Sequence, residues 1–279
     1  MVKCQSCGST NTRKFSYPEG DIFVCKGCKI QWGVLSKGVS DDNLNLKETH
    51  YMTAESYGDY NEYPLFKDFF STLEQVFGKK KLNILDVGCG SGTFIRASSN
   101  KGHNIYGIEL VEGVKKFMPK DVVPKVIFDD IRNIKEFQLP KFDVITFWDS
   151  FEHIADPFKV IDELRPHLSE KGLIFLQVNN NWDIYNIVSK TLINLAPSIG
   201  KPVFRSCFGF HAHLWNFSYQ GIKNLLEKNG WKIRKYKFLD TPANRLVRNP
   251  ILVFIFNIAY MVNRLIRGGK LGAYYISPT

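Results

Sequence analysis

Leu82-Asn83-Ile84-Leu85-Asp86-Val87-Gly88-Cys89-Gly90-Ser91-Gly92 reads as a buried strand that runs into a glycine-rich turn and then a helix. Gly88, Gly90 and Gly92 let the backbone take positive φ and admit a ligand where a Cβ would block it. Their spacing is G-x-G-x-G, whereas the dinucleotide fingerprint sets its third glycine one residue later, under a pyrophosphate. Outward from this loop the pattern of a βαβ unit continues. The next strand, Asn104-Ile105-Tyr106-Gly107-Ile108-Glu109, ends in a carboxylate roughly 20 residues past the glycines, where a ribose diol needs a bidentate acceptor. A third apolar run, Lys125-Val126-Ile127-Phe128, ends in Asp129-Asp130-Ile131. A fourth, Phe142 to Trp148, leads into Asp149-Ser150-Phe151-Glu152-His153-Ile154-Ala155-Asp156-Pro157.

Four such segments in this order resemble the class I S-adenosylmethionine-dependent methyltransferases of the small-molecule branch. The likeness covers residues 82 to 240. It implies an α/β fold, a doubly wound Rossmann-like sheet of seven strands, with S-adenosylmethionine as cofactor. Carried onto this chain, it assigns cofactor binding to Asp86, Gly88, Gly90, Glu109, Asp130 and Trp148, with Asp130 accepting from the adenine amino group. The Glu152-His153 pair before an Asp-Pro helix start matches the family's strand-four signature. His153 has the native pKa of a general base, and Glu152 is placed to orient it or to hold a divalent ion. His213, in Phe210-His211-Ala212-His213-Leu214-Trp215, matches a second family position. Residues 211 and 213 alternate on an extended segment and point to opposite faces, so at most one of the two reaches the substrate, and the base is His153, His211 or His213.

The chain has 279 residues, enough for one large α/β domain and a small addition, and its 44% hydrophobic content suffices for a core. The amino terminus lacks the apolar run of a signal peptide, so the expectation is a cytoplasmic, reducing setting. There, the pairs Cys4/Cys7 and Cys25/Cys28, each C-x-x-C, point to structural Zn²⁺. Residues 1–40 form a zinc-ribbon-like module that needs a metal staple for want of its own core, with Gly8 and Gly27 supplying the tight turns. Cys89 and Cys207 are read as packing residues. The formal net charge is +10, and from Trp231 onward basic residues far outnumber acidic ones.

Residues 41–81 hold a linker and an amino-terminal helical lid. The resemblance makes Tyr51, Tyr57 and Tyr60 candidates to close over the cofactor, and a helix runs from Pro64 through Phe77 with Leu65, Phe66, Phe69, Phe70, Leu73, Val76 and Phe77 on its apolar side. Residues 82–279 are the methyltransferase domain. A fifth strand covers Gly172 to Val178. A cap insertion at 180–216 holds one helix near Asp183 to Leu195. Ser218 caps a helix that ends at Asn229-Gly230, and strands follow at Trp231 to Leu239 and Leu271 to Ser277, which the resemblance implies pair antiparallel. An apolar helix is inserted at 250–267. It is too short to span a bilayer. Arg245, Arg248, Arg264, Arg267 and Lys270 flank or punctuate it, and Asn257, Tyr260, Arg264 and Arg267 form a polar stripe. This pattern suits peripheral contact with the inner face of an anionic membrane, a homodimer interface or burial.

The expected acceptor is a small molecule, a saccharide or lipid-linked metabolite, methylated on oxygen or carbon. The cysteine module resembles that of sugar C-methyltransferases, and the Glu-His-Ile segment resembles quinone-pathway O-methyltransferases. Zinc-bearing RNA methyltransferases share the module order and would suit the basic charge. Amine-directed RNA enzymes, however, carry a Pro-Pro or similar turn where this chain has Phe151-Glu152-His153, so nucleic acid is the lesser reading. A cofactor-binding scaffold without catalysis is the third; the intact motifs argue against it.

Overall fold

A computed structural model describes residues 2–36, 64–209, 213–240, 250–266 and 268–279. Tyr51, Tyr57, Tyr60, His211, Arg245, Arg248 and Arg267 lie outside the described residues, as does the linker from 41 to 63. The strands are β1 (Thr12–Tyr17), β2 (Gly20–Cys25), β3 (Gln31–Leu35), β4 (Asn83–Val87), β5 (Asn104–Glu109), β6 (Val126–Phe128), β7 (Phe142–Trp148), β8 (Leu168–Asn179), β9 (Trp215–Asn216), β10 (Trp231–Leu239) and β11 (Leu271–Pro278). The α-helices are α1 (Pro64–Phe77), α2 (Thr93–Asn100), α3 (Pro157–Leu164), α4 (Ile184–Leu195), α5 (Pro197–Phe208), α6 (Tyr219–Lys228) and α7 (Pro250–Leu265).

Two sheets result, one of four strands in the order β1-β2-β3-β9 and one of seven in the order β10-β11-β8-β7-β4-β5-β6. In the larger sheet β4 pairs in parallel with both β5 and β7, and β11 runs antiparallel to β10. The chain steps outward from β4 through β5 to β6, then returns to β4's other side as β7. That reversal makes the carboxyl end of β4 the switch point where open α/β sheets bind ligands. The fold is the expected doubly wound class.

The residues divide into two compact units, one drawn from 1–45, 149–158 and 176–279, the other from 46–148 and 159–175. In the second unit, α1 buries Leu65, Phe66, Phe69, Phe70 and Leu73, while Val76 is exposed, contrary to its place in the apolar stripe. Val76 sits in the helix's last turn, where the stripe has passed the end of the core.

In the first unit the cysteine module is less self-contained than a metal-stapled segment would be. Phe15 and Ile22 share one apolar cluster with Ile193 of α4 and with Phe204 and Phe208 of α5, and β9 completes the module's sheet by pairing Trp215 with Trp32. Polar ties follow the same path: Ser6 Oγ donates to Gly221 O at 2.9 Å, and Asn181 Nδ2 donates to Lys29 O at 2.6 Å. The cap segment holds two helices, not one. Pro197 opens α5 at a position where its missing N–H costs nothing. Gly200 is forced by the close approach of α4, since a Cβ there would stand 2.2 Å from Ile193 N. Gly200 and Pro202, which lower the helical signal in sequence, lie inside this helix.

Helix α7 buries two of its polar residues. Asn263, fully buried, accepts from Ile184 N at 2.8 Å and donates to Asp240 at 2.9 Å; Tyr260 is buried too. Of the polar stripe, Tyr260 is buried, while Asn257 and Arg264 are exposed. Phe254, Ile258, Met261 and Leu265, spaced at i, i+4, i+7 and i+11, are exposed on one face, Leu265 by 82%.

Candidate active site

In the unit containing β4, the loop after that strand has Gly88, Gly90 and Gly92 at φ of 70°, 53° and 77°. All three occupy the left-handed region that favours glycine. Gly92 precedes α2, whose first turn has no side-chain cap. Glu109, at the end of β5, is 4% exposed and ties the two strand ends together: Oε2 accepts from Gly90 N and Oε1 from Val111 N, both at 2.9 Å. Register brings this about, because Val87 is opposite Ile108. Gly107 is required beneath the loop, where a Cβ would meet Cys89 Sγ at 2.8 Å.

The other expected cofactor residues sit differently. Asp86 points into the interior and accepts from Thr146 Oγ1 at 2.8 Å; burial, aided by the charge of Glu109, pushes its carboxyl up to about 7. Asp130 accepts from Arg132 N at 2.9 Å and is ion-paired with the Arg132 guanidinium, which holds its carboxyl below the ordinary value. Trp148 packs its ring 4.9 Å from Phe66, 5.0 Å from Phe94 and 4.6 Å from Phe175, an aromatic cluster under α1. Three left-handed glycines, an open helix start and a buried carboxylate fit the nucleoside end of S-adenosylmethionine, which brings hydroxyl donors and no phosphate.

In the other unit, Asp149 has φ of 49°, a left-handed conformation rarely adopted by residues other than glycine. It is held there by Gln177, whose Nε2 donates to Asp149 Oδ2 at 3.0 Å and whose carbonyl accepts from Asp149 N at 3.1 Å. The turn that follows buries Glu152 completely, with neither carboxylate oxygen hydrogen-bonded among the described residues. Burial, then the charge of Asp149, pushes the Glu152 carboxyl well above the ordinary range. The rings of His153 and His213 lie 4.9 Å apart. One ligand atom from each of Glu152, His153 and His213 lies within 4.8 Å of the others. The structure thus brings together three of the four groups expected from sequence; the fourth, His211, is outside the described residues. A carboxylate with two imidazoles is a donor set that holds a divalent cation or relays a proton. His213 Nδ1 lies 3.1 Å from Phe208 O, and Asn179 Nδ2 lies 3.0 Å from Nδ1 and 3.1 Å from Nε2, against the face of the imidazole. Gly209 makes room for that ring, since a Cβ would come within 2.5 Å of it. Gln177 and Asn179 were not among the expected site residues. Their signal in sequence is polarity at i and i+2 near the end of a core strand, which sets both on one face.

The four cysteines of the module converge. Their sulfurs lie within 4.8 Å of one another, with Cys4 to Cys28 at 3.7 Å and Cys7 to Cys25 at 3.5 Å. A tetrahedral Zn²⁺ with bonds of about 2.3 Å sets its sulfurs about 3.8 Å apart, so the cluster fits that ion. Each C-x-x-C closes the same turn: Gly8 N donates to Cys4 O at 2.9 Å and Lys29 N to Cys25 O at 3.1 Å. The left-handed residue is Gly8 in one turn and Lys29, at φ of 66°, in the other, so Gly27 does not have the role expected of it.

The model of the methyltransferase domain family matches residues 60–236. The chain belongs to this family. The match leaves the cysteine module outside it. Among curated relatives, the ubiquinone biosynthesis O-methyltransferase of Actinobacillus pleuropneumoniae serotype 7 is 31% identical over 128 residues, 40% of this chain and 51% of the relative. That of Dechloromonas aromatica is 30% identical over 156 residues, 54% of this chain and 61% of the relative. The match spans about half the length of most such relatives. A methyltransferase from Archaeoglobus fulgidus, described as SAM dependent, shares the fold at a TM-score of 0.51 and 19% identity, covering 77% of this chain and 93% of its own. The magnesium protoporphyrin IX methyltransferase of Synechocystis PCC 6803, solved with bound SAH, does so at 0.56 and 15%, covering 88% and 100%. In this methyltransferase the seven-stranded sheet is thus the family's class I fold.

Proposed function

We propose that the protein transfers a methyl group from S-adenosylmethionine to a small-molecule acceptor, a saccharide or lipid-linked metabolite. The observation that carries this reading is the carboxylate of Glu109 bonded to Gly90 in a left-handed glycine loop at the switch point of the sheet. Gly88 and Gly90 leave space for the nucleoside, and Glu109 retains lone pairs for its ribose hydroxyls. When bound, the cofactor supplies an electrophilic methyl group on a sulfonium. His153 takes the proton of the acceptor's hydroxyl or carbon acid, and Glu152, kept neutral by burial, stands beside the two imidazoles. A screen of metabolite extracts for cofactor-dependent mass gains of one methyl group tests the activity. With the acceptor found, His153→Ala should lower turnover by about 10²-fold and leave cofactor affinity unchanged. Unchanged turnover would move the base to His213 or His211.

In this reading Cys4, Cys7, Cys25 and Cys28 hold a structural Zn²⁺ in a cytoplasmic setting. The sulfur spacing and the burial of three of the four thiols support it, since a buried thiolate needs a cation beside it. The lipid-linked form of the acceptor rests on α7. Among the described residues no helix is long and apolar enough to cross a membrane. An exposed apolar face beside Arg264 suits one that lies in a headgroup interface.

A further inference from the structure

Glu152 and His153 stand on the turn after β7, and His213 on the segment that becomes β9; both stretches belong to the same compact unit as the cysteine module. One peptide joins all three. Leu214, next after His213, donates its N–H to Glu152 O at 2.9 Å, and its carbonyl accepts from Gly33 N of β3 at 2.8 Å. Trp215 repeats the bridge, pairing with Trp32 on one side and donating Nε1–H to Ile154 O at 3.1 Å on the other. A strand of two residues does not hold its own place, so β9 takes its position from the edge of β3 that it completes.

A second path starts at the metal-binding turn itself. Cys28 O accepts from Ser218 Oγ, and Lys29 O accepts from Asn181 Nδ2 at 2.6 Å. Asn181 N donates to Phe217 O at 2.8 Å and Phe217 N to Asn179 O at 3.1 Å, while the Asn179 amide lies against the His213 ring. The turn at the head of both paths has a reason to move when it loses a cation. Lys29 is held at φ of 66°, a conformation that a residue with a Cβ keeps only where its surroundings enforce it. Cys25 and Cys28 flank this turn with buried sulfurs, and an ion bonded to both closes it.

We propose that the cysteine module is the positioning element of the Glu152, His153 and His213 group: an ion held by Cys4, Cys7, Cys25 and Cys28 fixes the second turn and β3, and these keep the group assembled through Leu214. Its meaning for catalysis rests on the methyl-transfer reading above. Loss of the ion lets Lys29 relax and shifts the edge on which β9 rests. The glycine loop and Glu109 belong to the other unit and carry none of these bonds. The test uses the full chain with isotope-labelled histidines and reads the nuclear Overhauser effect between the His153 and His213 rings, whose centroids are 4.9 Å apart. The effect should be present in the zinc-loaded protein, vanish on chelation and return when Zn²⁺ is added back. His103 and His167, in the other unit, should keep their signals throughout, which separates a local release from unfolding. Gly33→Pro removes the N–H donated to Leu214 O and spares the cysteines; it should retain one Zn²⁺ per chain and still lose the effect. S-adenosylmethionine affinity, followed by calorimetry in the same samples, should stay constant. An undiminished effect in the metal-free protein or in zinc-loaded Gly33→Pro overturns the positioning role, as does a shift of all four histidines or a loss of cofactor affinity with the metal. Histidines that respond to the metal in a protein that never binds the cofactor uphold the positioning role and remove the methyl-transfer reading; cofactor binding with unresponsive histidines does the reverse.

Discussion

Replacing Asp86 with asparagine should change how the stability of the ligand-free protein depends on pH. Burial holds the Asp86 carboxyl at about 7 against an ordinary 3.8, aided by Glu109 and opposed by the Thr146 hydroxyl. Between those values the folded state keeps a proton that the unfolded state has released, so stability falls as pH rises. Below the lower value both states are protonated, and above the upper value both are ionised, so the loss is then complete. The slope from this one group is about 1.4 kcal/mol per pH unit and the full loss about 4 kcal/mol. Asparagine retains an oxygen for Thr146 to donate to and does not titrate. Urea unfolding followed by circular dichroism, in half-unit steps from about pH 5 to about pH 8.5, should show the variant gaining on the wild type up to about pH 7 and then holding a constant lead. A lead that is the same at every pH would mean that Asp86 ionises in the fold as it does in water, and the account of its burial would fail.

Glu109→Ala should weaken S-adenosylmethionine binding by at least ~1.5 kcal/mol in calorimetry, because it removes the acceptor that fixes Gly90 as well as the one offered to the ribose. An affinity within twofold of wild type would place the nucleoside elsewhere. Metal analysis should find one Zn²⁺ per chain, lost in Cys25→Ser. Because the module shares Phe204 and Phe208 with the cap, chelation should loosen residues 184–208 together with 1–36 in hydrogen exchange, and loosening confined to the module would contradict the shared core. Flotation with anionic liposomes should carry the wild type and leave behind a folded Phe254→Glu, Met261→Glu variant; both positions are exposed, so a variant that unfolds would instead indicate burial of α7.

Local pattern was enough wherever a residue's role depends on its neighbours in sequence. The glycine loop, the carboxylate at Glu109 and the Ser218 cap follow from spacing and turn chemistry, and the antiparallel β10–β11 pair from the family resemblance. What sequence did not disclose depends on residues far apart. Helix α5 hides behind Gly200 and Pro202 because the glycine answers to the backbone of α4, a contact that no propensity encodes. The same cause acts on α7. By composition its polar residues belong in water, yet Asn263 supplies the acceptor for the start of α4 and the donor for Asp240 in one buried side chain. An unpaired buried N–H or carboxylate costs more than an exposed leucine, which costs almost nothing. Hydrogen-bond satisfaction therefore accounts for the burial of Asn263, while Phe254, Ile258, Met261 and Leu265 stay exposed. For the same reason the sequence located His153 but not Asn179, whose place beside His213 is set by a strand and a loop that meet only in the fold.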